Sequence, residues 1–230
     1  MYVAATNLGA ILKIDTATLA TVATYDVGGV VGDSIALLGN RLYYAVAGAG
    51  EWTKVGMYDM ATGTNNRAFI NSPTSFYSPI LRTSPALPGR LFVGSGGLSP
   101  FNIQSWDVAS ATPVQLAQTL HSETGSNLND FEVSTDGTRI WAAAGAPYKI
   151  TEFRTSDLLL SGKSYPTGPY PVAVAQVGTG NDEVIGAGAA SNSKSYTFQA
   201  TNPAITASFS IGGDTAERGV AFSLDGSKIF

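Results

Sequence analysis

A unit of about 46 residues recurs along this chain, and that period restricts the fold more than any other feature. The segments LKIDTAT, GMYDMAT, QSWDVAS, TEFRTSD and YTFQATN each join an apolar run to a polar residue and then to a small polar turn. Their polar markers, Asp15, Asp59, Asp107, Arg154 and Gln199, lie 44, 48, 47 and 45 residues apart. Such a period signals stacked or radial units, and its length holds four short strands with their turns. The predicted class is all-β: a β-propeller of four-stranded antiparallel blades.

The strand order within a unit is legible. FEVSTDGTRIW, residues 131 to 141, supplies a first and a second strand around an Asp-Gly turn, KITEFR a third and LSGKSYP a fourth. The terminal VAFSLDGSKIF repeats FEVSTDGTRIW position by position, with Asp225 for Asp136, Gly226 for Gly137 and Ile229 for Ile140. MYVAATNLGAILKID, in turn, opens on a second and third strand with no first strand ahead of it. Joining the two ends gives one more unit, with a wrapped spacing of 46 residues between Gln199 and Asp15. About five blades follow, with N- and C-terminal strands completing one of them. The approximate units are 1–29 plus 214–230, 30–72, 73–122, 123–168 and 169–213. A cut inside a strand also fits an excerpt of a longer propeller, and both readings stay open.

The joined unit resembles the YVTN-type β-propeller repeat. MYVAATN, AILKIDTAT and TVATYDVGG stand for its successive strands, and VAFSLDGSK for its "V-A-V-S-P-D-G-T" segment. The sharp motif covers about one blade. It is fair over residues 131 to 168 and weak elsewhere, where Arg154 and Gln199 replace the repeat's Asp. The resemblance implies a propeller of bacterial or archaeal surface-layer and other cell-surface proteins, related to lactonase-like and quinoprotein-like propellers. It implies no single activity.

Composition narrows the partners. With 44% apolar and 13% charged residues, 230 residues suffice for one packed domain. There is no cysteine and one histidine, His121, so thiolate and histidine-rich metal sites are excluded and no metal or cofactor is expected. A net charge of −4 without a Lys or Arg block argues against nucleic acid. No apolar run approaches the roughly 20 residues of a membrane span. Low Lys and abundant Thr, Ser, Gly and Ala fit an exported bacterial protein, from which a leader can have been trimmed.

Asp15, Asp59 and Asp107 each precede a small polar turn, where an Asp accepts backbone N–H groups, so turn formation outweighs a carboxylate ring for cations. The glycines of VGSGGLS and IGAGAAS open no helix and read as turns that permit close blade packing. Loops after the second and fourth strands should meet on one face of the disc, the default binding surface. They carry Asp33, Trp52, Tyr77, Phe101, Tyr148 and Tyr170, an aromatic set that suits a protein or carbohydrate ligand. His121, in the long loop LHSETGSNLND, with Asp130 and Arg218, is the weaker catalytic candidate. The expectation is a non-enzymatic extracellular or cell-surface binding propeller, a monomer or part of a longer chain. The alternatives are a lactonase-like hydrolase or lyase working in the central cavity, and a purely structural unit of a larger surface protein.

Overall fold

In the computed structural model, which describes residues 1–72, 76–190, 194–223 and 225–230, a period of two divides nearly every strand between two neighbours. In RIWAAAGA, Ile140, Ala142 and Ala144 pack to one side of their strand, and Trp141 and Ala143 to the other. Both faces are buried, so the segment reads as a continuous apolar run.

Among the described residues the strands form five sheets, all antiparallel meanders. The first has three strands, β1 (Tyr2–Ala5), β2 (Ala10–Ile14) and β3 (Thr21–Asp26). The second contains β4 (Val31–Leu38), β5 (Arg41–Val46), β6 (Lys54–Asp59) and β7 (Thr64–Asn71). The third contains β8 (Pro79–Arg82), β9 (Arg90–Ser95), β10 (Ile103–Asp107) and β11 (Val114–Gln118). The fourth contains β12 (Ser126–Val133), β13 (Arg139–Ala146), β14 (Lys149–Arg154) and β15 (Leu160–Pro166). The fifth contains β16 (Pro171–Val177), β17 (Val184–Ala189), β18 (Lys194–Gln199) and β19 (Asn202–Ser210). Two single-turn 3₁₀ segments, Thr6–Leu8 and Gly180–Asp182, are the helical content among the described residues.

Apolar layers between successive sheets set their order. Ile11 and Val27 meet Leu42, Tyr44 and Val46; Tyr43, Val55 and Ile70 meet Leu81, Leu91 and Val93. Phe92 and Ile103 meet Phe131 and Ile140, while Trp141 and Tyr165 meet Ile185 and Phe198. The inner strands β4, β8, β12 and β16 contact one another in sequence around a centre. This is a β-propeller of about five blades.

The repeat markers build turns. Asp15 Oδ1 accepts the N–H groups of Ala17 and Thr18 at 2.8 and 2.9 Å, and Asp59 Oδ1 those of Ala61 and Thr62 at 2.9 and 3.3 Å. Asp107 accepts that of Ala109 at 2.9 Å. Where Arg154 replaces the Asp, Asp157 accepts the Leu159 N–H at 3.1 Å instead.

Gly94, Gly186 and Gly188 correct one expectation: they lie within strands β9 and β17, not in turns. The reason is steric, because a Cβ on Gly94 would strike Phe131, and one on Gly186 would strike Phe222 and Ile229. Ser191, the last residue of IGAGAAS, and Leu224 of VAFSLDGSKIF lie outside the described residues.

The terminal segment forms the hairpin its sequence predicts. Phe222 bridges Ile229, and Ser223 repeats the bonds of Ser134: its hydroxyl donates to Asp225 at 2.7 Å as Ser134 donates to Asp136 at 2.6 Å. This hairpin and the first sheet hold complementary parts of one unit, and among the described residues no ladder joins them. β1 pairs with β2, and the hairpin with itself. Each half satisfies its own end groups: the Met1 ammonium donates to Ile14 O at 2.9 Å, and Phe230 N–H to Ala221 O at 2.8 Å. Arg218 bridges the fifth and second sheets: its N–H donates to Val172 O and its Nη1 pairs with Asp33 of β4 at 3.0 Å.

Candidate functional site

Because the blades are meanders, the turns after second strands and the connections after fourth strands share one end of the disc. Four non-glycine residues there adopt left-handed backbone at or just before an inner strand or the hairpin. They are Ser78, Asn127, Tyr170 and Arg218, with φ of 48, 53, 53 and 58°. Each such conformation costs roughly 1–3 kcal/mol and persists where neighbours hold it. Backbone bonds do so here: Gly96 N–H donates to Ser78 O at 3.3 Å, Asn127 N–H to Leu98 O at 2.8 Å and Ala190 N–H to Tyr170 O at 2.9 Å.

These four residues line a cavity of about 470 Å³ at the centre, together with Asp33, Tyr77, Gly97, Asn129, Gly145 and Glu217. Aromatic pairs flank it. Trp52 and Tyr77 stack with centroids 5.6 Å apart and planes 11° from parallel; Tyr148 and Tyr170 lie 5.4 Å apart at 50°. All four rings are 44–50% exposed. Glycine sets two of them close to the sheets, since a Cβ on Gly97 would lie 3.1 Å from Tyr77 and one on Gly145 3.4 Å from Tyr170.

Of the residues expected on this face, Asp33, Tyr77 and Tyr170 line the cavity, and Trp52 and Tyr148 stand behind them. Phe101 corrects the expectation. It is 1% exposed, packed edge-on against Phe153 in the layer between the third and fourth sheets. Its N–H donates to Gly125 O, which draws the loop inward and gives its ring to the core.

His121, Asp130 and Arg218 do not form one constellation. His121 is exposed on its loop, whose following residues Ser122 to Gly125 line a separate cavity with Pro147 and Lys149. Asp130 is buried and fully engaged: Oδ1 pairs with Arg82 of β8 and accepts the Phe131 N–H at 2.9 Å, and Oδ2 accepts the Val174 N–H of β16 at 3.0 Å. It pins three inner strands together, a structural duty in place of the expected catalytic one. Arg218 donates to Asn129 O and Asp33 O, both at 3.4 Å, besides its ion pair with Asp33.

Sequence reasoning missed Ser78, Asn127, Asn129 and Glu217. A signal was present: Ser78-Pro79 and Tyr170-Pro171 stand at matching places in their units, and Asn is among the residues that tolerate left-handed backbone.

No protein-family model matches the chain, and no curated protein matches it. Its likeness is to solved structures. A chain in "Crystal Structure of Mitotic Checkpoint Complex" superimposes with a TM-score of 0.69 at 16% identity, over 93% of this chain and 61% of that one. The fold is WD40-like. The chain therefore spans about three-fifths of the length of the propeller it matches, and at this identity the likeness carries fold alone.

A second buried carboxylate gives the propeller a pH response. Glu183 is fully buried at the fourth–fifth sheet contact, with Arg139 Nη2 2.7 Å from Oε2. Burial pushes its carboxyl up to about 7 against the pull of that guanidinium. The folded protein thus holds a proton that the unfolded chain has released, so this contribution is full below the unfolded value and is lost as pH rises towards 7. Denaturant unfolding should show about 2 kcal/mol less stability at pH 8 than at pH 5 from this group. Glu183→Gln, which keeps a hydrogen-bonding partner for Arg139, should flatten that slope; an unchanged slope would remove Glu183 as its source.

Proposed function

We propose that the chain is a non-catalytic binding propeller whose ligand, a protein or a glycan, enters the central cavity on the loop face. We further propose that it works outside the cell, as the YVTN-type repeat it resembles suggests. The observation that carries the binding role is the cavity itself, where residues from four blades and the terminal segment converge under two exposed aromatic pairs. Pockets of about this size, with aromatic walls and a few placed polar groups, suit specific ligands.

Peptide and glycan arrays probed with the purified chain test the reading. Bound spots should disappear with Tyr77→Ala and Tyr170→Ala and survive Asp107→Asn on the opposite face. Binding that ignores both tyrosines would refute it. Labelling of intact source cells with an impermeant reagent tests the location: the chain should be labelled, and protection until lysis would contradict an outside position.

A further inference from the structure

Resting on that reading, we propose that the cavity takes a neutral oligosaccharide, with pyranose rings lying on Tyr77 and Tyr170 and ring hydroxyls bonded to Asn127 and Glu217. Three observations favour this class over a peptide or an anionic ligand.

The first is the state of the rings. Trp52 covers one face of Tyr77, and the near-parallel stack leaves the pair almost half exposed, so a flat surface remains open. Tyr148 packs against Tyr170 at 5.4 Å with its plane tilted by 50°, and both rings stay about half exposed. Flat, supported and half-wet rings match the C–H face of a sugar, which carries hydroxyls around its edge. A peptide anchor instead favours a deep, desolvated pocket.

The second is the supply of hydrogen bonds. Asn127 is exposed in the cavity, and its side-chain amide makes no hydrogen bond among the described residues, leaving a donor and an acceptor side by side. Glu217 adds two acceptor oxygens. Planar groups of this kind can bond two adjacent hydroxyls at once. Asn127 and Tyr170 are also held in left-handed backbone, so part of the ordering cost is met before a ligand arrives.

The third is charge. Arg218 is already committed to Asp33 at 3.0 Å and to the Asn129 and Asp33 carbonyls. Glu217, without an ion-pair partner among the described residues, leaves the lining net negative, which opposes uronates, sulfated sugars and phosphates.

Trp52 is the reporter. Neutral tetrasaccharides of the cellulose, chitin, mannan and galactan series would be titrated against the intact chain by tryptophan fluorescence and calorimetry, beside a sulfated tetrasaccharide and a random peptide pool. At least one neutral series should bind and shift the fluorescence, with the shift lost in Trp52→Phe. Tyr170→Ala should weaken binding at least tenfold, Asn127→Ala about fivefold, and Tyr170→Phe should retain it, which separates a lost platform from a lost fold. Binding of the sulfated sugar or the peptides through Tyr77 and Tyr170, with no neutral sugar bound, would overturn the sugar assignment while the cavity reading stood. No binding of any probe would end both.

Discussion

Arg82→Met should destabilise the propeller by about 3–5 kcal/mol at neutral pH, the cost of leaving a buried carboxylate without its counter-ion. Asp130 is 2% exposed, and Arg82 Nη2 is the cation in hydrogen-bond contact with it. The same guanidinium lies 3.3 Å from Glu132 through Nε and sits over the Phe131 ring at 5.7 Å. Burial raises both carboxyls against the pull of Arg82, and one guanidinium serves two of them. In a chain of this length the loss corresponds to a Tm lower by about 10–15 °C. The variant should also change its pH response. Without Arg82 the folded pKa of Asp130 rises further above its unfolded value, so stability falls as pH climbs through that interval. The deficit should therefore be larger at pH 7.5 than at pH 4.5. A deficit under 1 kcal/mol at pH 7.5 would show that Asp130 does not depend on this pair.

Gly125→Ala is the second large effect, expected at about 3 kcal/mol or more, at the upper end of overpacking costs. A Cβ at this position would overlap the Ala146 carbonyl oxygen and come within 2.7 Å of Pro147 Cδ. Neither obstacle has a rotamer that clears the space. Gly125 cannot easily retreat, because its carbonyl accepts the Phe101 N–H at 2.8 Å and its neighbour Ser126 pairs with Ala146. Gly213 is the control: a Cβ there meets nothing within 4 Å, so Gly213→Ala should stay within about 0.5 kcal/mol of the native chain. Thermal unfolding of the two variants side by side separates the steric cost from a general glycine effect.

Much of the fold is legible in the residues because local rules and packing agree. The Asp-Gly turn of FEVSTDGTRIW, the alternation in RIWAAAG and the Asp markers each specify a strand or turn that the structure forms. The completion of one blade by both termini is a different kind of statement. It joins distant segments, and the structure shows each of them closing bonds of its own. The site was half legible. Tyr77 and Tyr170 stand out as aromatics beside an X-Pro step, but composition cannot tell Tyr77 on the rim from Phe101 in the core. That distinction is set by the packed fold, where Phe101 joins the layer against Phe153 and its N–H donates to Gly125 O. Asp130 misled for a related reason, since an acidic residue flanking a loop looks available until its three partners from β8, β12 and β16 are in place.

The most direct test of a ligand cavity at the centre of the blades is an amide chemical-shift map of the intact chain titrated with the neutral tetrasaccharides and the peptide pool. The perturbed amides are expected to centre on Ser78, Gly97, Asn127, Tyr170 and Arg218. Perturbations confined to the opposite face, around the turns that follow Asp15, Asp59 and Asp107, would contradict it.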